Sequence, residues 1–72
     1  MDGTRAAVLT VSDGVAAGTR DDASGATAED LLRAAGFDVV TRSLTPDERP
    51  SIEAAIRELA ATHVLVVTTG GT

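Results

Sequence analysis

The 72 residues carry a formal net charge of −5, no cysteine, no lysine and a single aromatic residue, Phe37. A chain of this length makes at most one domain, and it buries only about 60% of the surface its unfolded form exposes. The composition excludes a disulfide scaffold, thiolate metal sites, a Walker-type phosphate loop and a Schiff base, and the acidic balance argues against nucleic acid, whose phosphates need a basic face.

The N-terminus, "MDGTRAAV", lacks the basic region of a signal peptide. No apolar run approaches the ~20 residues of a membrane span, so a cytoplasmic location and no membrane partner are expected. Residues 6–11, "AAVLTV", are apolar without alternation, which predicts a strand buried on both faces. A loop, "SDGVAAGTRDDASG", follows over 12–25. Ala28, Leu31, Leu32 and Ala35 then recur at helical spacing, with Ser24 or Thr27 as the cap and Gly36 as the stop. "FDVVTRSL", residues 37–44, predicts a second strand, more polar and so nearer a sheet edge. After "TPDER", Pro50 stands where a first-turn proline belongs, and Ile52, Ala55, Ile56, Leu59 and Ala60 mark one face of a second helix. Residues 63–69 are apolar and β-branched and predict a third strand.

This order is the start of a doubly wound α/β sheet, with right-handed crossovers and a mostly parallel sheet between helices. Two central-looking strands and one polar strand favour the spatial order 2-1-3, with the two helices on opposite faces. In that order nothing that follows the third strand covers its far side. Much of the apolar content is alanine, which makes thin core contacts. The chain is therefore expected to need partner surface and to be the N-terminal part, residues 1–72, of a single domain whose remainder is absent.

Ligands of open α/β sheets bind beyond the carboxyl ends of the strands, where the winding reverses. Three loops meet at that edge: 12–25, 45–49 and 69–72. The turn Thr68-Thr69-Gly70-Gly71-Thr72 is read either as backbone N–H groups and hydroxyls offered to an anion or as a flexible exit from a strand. The first loop exceeds the about 2–6 residues usual for such a connection, which suits a functional loop or a solvated one. It carries Asp13, Asp21 and Asp22 against Arg20 alone. A phosphorylated ligand beside these acids implies Mg²⁺; the plainer reading is that they cap the next helix and favour its positive end. Asp47 and Glu48 pose the same choice between a helix cap and a carboxylate aimed into the crevice. His63 precedes a buried strand and is assigned a surface or capping role rather than catalysis.

Taken together, "VLTVSD" (8–13), "GTRDDASG" (18–25), "GFDV" (36–39), "TPDE" (45–48) and "LVVTTGGT" (65–72) resemble the molybdopterin-binding (MoaB/Mog-like) proteins of molybdenum cofactor biosynthesis. They stand in that family's order and at about its spacing. "PDE" followed some twenty residues later by "TTGGT" is the most specific part.

The resemblance implies an α/β sandwich that forms trimers or hexamers. It implies binding of molybdopterin and, in enzymatic members, transfer of the adenylyl group of Mg-ATP to its terminal phosphate. Asp47 matches an acidic residue important for catalysis, either placing the metal or orienting the attacking phosphate oxygen. Ser12 and Asp13 match the loop lining the site, and Asp22, Ser24 and Gly25 the segment entering the first helix. Thr69, Gly70, Gly71 and Thr72 match the phosphate and pterin cradle. In the family "TTGGT" runs on into another glycine and a second acidic residue that this sequence lacks. A chain of these residues alone is expected to hold about half a site and not to catalyse adenylylation. The alternatives are a non-catalytic molybdopterin-binding module, the related domain of a larger molybdenum-insertion or competence/damage-inducible protein, or a flavodoxin-like domain whose site is accidental.

Overall fold

In the computed structural model, which describes residues 4–16, 18 and 22–70, the predicted elements run in the expected order, with one further short helix inside the loop expected over 12–25. They are β1 (Arg5–Val11), a one-turn helix α1 (Asp13–Ala16), α2 (Ala23–Ala34), β2 (Val39–Thr45), α3 (Arg49–Ala60) and β3 (Leu65–Gly70). The three strands form one parallel sheet in the order β2-β1-β3. The fold is α/β and matches the predicted arrangement.

The continuous apolar run of β1 is the reason it takes the centre. Ala6, Ala7, Val8 and Leu9 are fully buried, and Val40 of β2 completes the buried apolar set. Leu9 and Val8 are the largest fully buried side chains, each worth about 1.5–3 kcal/mol. The register pairs Thr10 with Leu44 on one side and Thr69 on the other. Thr10 faces the start of α2, where its hydroxyl donates to Asp22.

Helix α2 begins earlier than expected, because its cap is Asp22 rather than Ser24 or Thr27: the Asp22 carboxylate accepts a hydrogen bond from the Gly25 amide. Its end is as expected and follows a Schellman pattern. Phe37 N donates to Leu32 O at 3.2 Å and Gly36 N to Arg33 O at 3.1 Å, with Gly36 at φ +105°. Leu31 departs from the predicted buried face and is 66% exposed. The helix seats instead through buried Gly25 and half-buried Leu32, which turns Leu31 outward.

Pro50 stands in the first turn of α3, as predicted, and Glu48 is its N-cap with extended backbone but no capping side-chain bond. No residue of α3 is buried, so the helix covers the sheet loosely. His63 takes the capping role expected of it. Nδ1 reaches Leu59 O at 2.9 Å, in the last turn of α3, and Nε2 reaches Thr41 Oγ1 at 2.8 Å. Both outer edges of the sheet lack a further strand among the described residues, and Val64 and Leu65 stay exposed. No helix among the described residues is long and apolar enough to cross a membrane.

Candidate functional site

The carboxyl ends of the strands bring the expected residues into two groups. The first lies at the edge of the sheet. Ser12, buried, follows β1; its amide donates to Thr45 O at 3.0 Å, and its hydroxyl accepts from Val15 N at 3.3 Å, which caps α1. Asp13 opens α1 and leans across β1 toward the β2–α3 loop. There its Oδ1 accepts the Asp47 amide at 2.8 Å. The exposed Asp13 and the backbone of the exposed Asp47 are thereby tied together at the carboxyl ends of β1 and β2. Gly70, paired with Val11, stands at the carboxyl end of β3, and a side chain added there would meet open space. Gly71 and Thr72 lie outside the described residues, as do Arg20 and Asp21.

The second group sits beneath the N-terminus of α2 and is centred on Asp22. Oδ1 accepts the Thr10 hydroxyl at 2.9 Å and the Gly25 amide at 3.1 Å, while Oδ2 accepts Arg42 Nη2 at 2.6 Å. Thr69 Oγ1 in turn donates to Thr10 Oγ1 at 3.2 Å. Arg42 also reaches Glu29 at 3.6 Å, and Glu29 pairs with Arg33 at 3.0 Å. Partial burial works to raise the Asp22 carboxyl, but the bonds from Arg42, Thr10 and Gly25 outweigh it and hold the group below the ordinary carboxylate value. The guanidinium of Arg42 is correspondingly pushed up by Asp22. Asp22 is therefore held ionised and engaged by its own neighbours. This is the capping reading of that acid, extended by an ion pair.

Gly25 is needed because the Asp22 side chain folds over it: a Cβ at Gly25 would stand 2.6 Å from Asp22 Cγ. Ser24 is exposed at the start of α2, where with Ala23, Thr27, Ala28 and Leu31 it lines an open groove of about 380 Å³. It is not joined to either group. A smaller depression of about 330 Å³ lies between Asp22, Arg42 and Leu44.

Sequence reasoning missed Thr10 and Arg42. Each leaves a trace: a hydroxyl inside an otherwise apolar strand, and a lone arginine within "VVTRSLT". What the sequence does not carry is that both point to one carboxylate.

Among the described residues no buried side-chain polar atom lacks a partner, and no three acids or histidines cluster as a metal site. Parallel strands wound both ways, with acids and hydroxyls gathered where the winding reverses, define the class: a doubly wound α/β domain with its candidate site at the carboxyl edge.

Residues 7–72 match a family model described as "Probable molybdopterin binding domain", and the chain belongs to this family of molybdenum cofactor biosynthesis. It is 41% identical over 69 residues to the molybdenum cofactor biosynthesis bifunctional protein of Chlorobaculum tepidum, a match covering 94% of this chain and 22% of that protein. The chain thus spans about a fifth of the length of that relative. No solved structure matches it.

Proposed function

We propose that the domain binds molybdopterin at the carboxyl edge of its sheet and that the intact protein transfers an adenylyl group from Mg-ATP to the terminal phosphate of the pterin. The observation that carries this reading is the Asp47 amide bound to the Asp13 carboxylate at 2.8 Å. That bond joins the loops after β1 and β2 at the carboxyl edge of the sheet. Adenylyl transfer asks chiefly for positioning and charge neutralisation. In this scheme Ser12 and Asp13 line the site, Asp22, Ser24 and Gly25 form the entry to α2, and Thr69, Gly70, Gly71 and Thr72 cradle the phosphate and pterin.

Two carboxylates suit Mg²⁺ that arrives on nucleotide phosphates, since this ion commonly takes one or two carboxylates plus substrate oxygens. They do not make a self-sufficient metal cage. Asp47 is the proposed catalytic residue. Its replacement by asparagine in the intact protein is expected to cut formation of adenylylated pterin about 100-fold or more and to leave pterin binding within a few-fold. Undiminished turnover by that variant would remove Asp47 from the chemistry.

A second reading, a module that binds the pterin without adenylylating it, has its own support. Among the described residues, Arg42 is committed to Asp22 and Glu29, and Arg49 pairs with Glu53 at 3.5 Å. The two arginines described near the edge, Arg42 and Arg49, are thus both engaged by acids of this chain. The same assay separates the two, because a pure carrier binds pterin and releases no pyrophosphate from ATP. The unpaired outer edge of β3 and the exposed Val64 and Leu65 support the further proposal that residues 1–72 are the first part of a larger domain that assembles into trimers or hexamers.

A further inference from the structure

We infer that Thr69 is a specificity-determining residue that accepts a hydrogen bond from an N–H-bearing heterocycle and does not donate to phosphate, because the line Thr69–Thr10–Asp22 commits its hydroxyl proton inward. The inference rests on the ligand site proposed above and names which end of the ligand this threonine meets.

The argument is one of hydrogen-bonding capacity. An ionised carboxylate only accepts, whereas a threonine hydroxyl has one proton to give and two lone pairs to offer. Asp22 is held ionised by Arg42 at 2.6 Å and already accepts the Gly25 amide. The 2.9 Å contact between Thr10 and Asp22 therefore spends the proton of Thr10. Thr10, itself buried, can meet Thr69 only as an acceptor. The 3.2 Å contact between the two hydroxyls then spends the proton of Thr69. What remains on Thr69 is acceptor capacity alone.

Thr69 is half-buried and stands one residue before Gly70, at the carboxyl end of β3, so its unused lone pairs are at the edge where a ligand arrives. A phosphate dianion has no hydrogen to offer them. A ring N–H or amino group has. Pterin rings carry such donors, and a site built around an acceptor rejects a group that cannot donate. The anionic end of the same ligand must be met elsewhere at the edge, by groups with hydrogen to give. Arg42 and Thr10 are positioning residues in this account, since they set the polarity of Thr69 without touching the ligand.

The test uses the intact protein and two separate probes, the phosphate-free compound 6-hydroxymethylpterin and inorganic phosphate. Valine at position 69 keeps the branched shape and removes the oxygen, so Thr69→Val is expected to bind the pterin about tenfold more weakly and phosphate within about twofold of wild type. Thr69→Ser keeps the oxygen and should bind both as wild type does. Weakened phosphate binding with unchanged pterin binding in Thr69→Val would overturn the inference, as would equal losses in the valine and serine variants. Wild-type protein that takes up neither probe would overturn the ligand-site reading itself and the inference with it. A failure confined to the variants leaves that reading standing.

Discussion

Asp22 shows how much one side chain can organise in a chain this small. It caps α2, binds Thr10 and pairs with Arg42, and Gly25 exists to make room for it. Gly25→Ala forces its Cβ against Asp22 Cγ, 2.6 Å away in the undisturbed geometry. Losing the cap and disturbing the ion pair is expected to lower stability by about 1–3 kcal/mol, read as a shift in the urea midpoint. An unshifted midpoint would mean that Asp22 can move aside freely. The depressed ionisation of Asp22 also has a direction in pH. The folded state releases the proton more readily than the unfolded chain, so the stabilisation is present above the ordinary value of 3.8 and is lost as pH falls below it. Comparing urea midpoints at neutral pH and near pH 3 should show wild type losing more stability than Asp22→Asn. Equal acid losses in the two proteins would remove Asp22 from the acid response.

At the scale of the element, the two long helices are terminated unequally. Helix α2 has a side-chain cap at its start and a glycine at positive φ at its end. Helix α3 begins at Glu48 with extended backbone, a proline in the first turn and no capping bond from the side chain. The geometry for a cap is present and the group is wrong, since the Glu48 carboxylate instead accepts the Ser51 hydroxyl at a long 3.4 Å. Glu48→Ser is expected to raise stability by about 0.5–1 kcal/mol. Thermal denaturation checks it, and an unchanged or lower melting temperature would mean that Glu48 contributes more through Ser51 than a cap would. Glycine at C′ was legible because Gly36 follows the last helical apolar residue. The start of α2 was not, because Asp22, Ser24 and Thr27 are all good caps by type. Thr10 and Arg42 made the choice by fixing the carboxylate of Asp22.

At the scale of the whole molecule, the buried apolar set among the described residues is Ala6, Ala7, Val8, Leu9 and Val40. Stability at this length is about 4–11 kcal/mol at the usual 0.05–0.15 kcal/mol per residue. Leu9→Ala should cost about 3–5 kcal/mol, a large part of the total, and calorimetry should find the variant with a strongly lowered transition or none. A melting temperature within about 2 °C of wild type would show that the core does not centre on β1. The accessible surface is 4577 Å², against roughly 4,200 Å² for a compact protein of this mass. The excess agrees with the open outer edges of the sheet and the exposed Leu31, Val64 and Leu65.

Periodicity and punctuation in the sequence determined the element order, the parallel α/β class, the central place of β1 and the strand order β2-β1-β3. The unbroken apolar run of β1 suits a strand covered on both faces, and the polar strand β2 lies outside it. The motifs also determined the family, since their order and spacing are properties of the chain alone. Only the tertiary structure decided what the acids do. Asp13, Asp22 and Asp47 look alike in sequence, but folding ties Asp22 to Arg42, twenty residues on, and Asp13 to the Asp47 amide, thirty-four residues on. Such pairings depend on register and crossover geometry, which bring together residues that no local pattern links. For the same reason the direction of the Thr69 hydroxyl is absent from "TTGGT" and follows from two strands and a helix start meeting at Thr10.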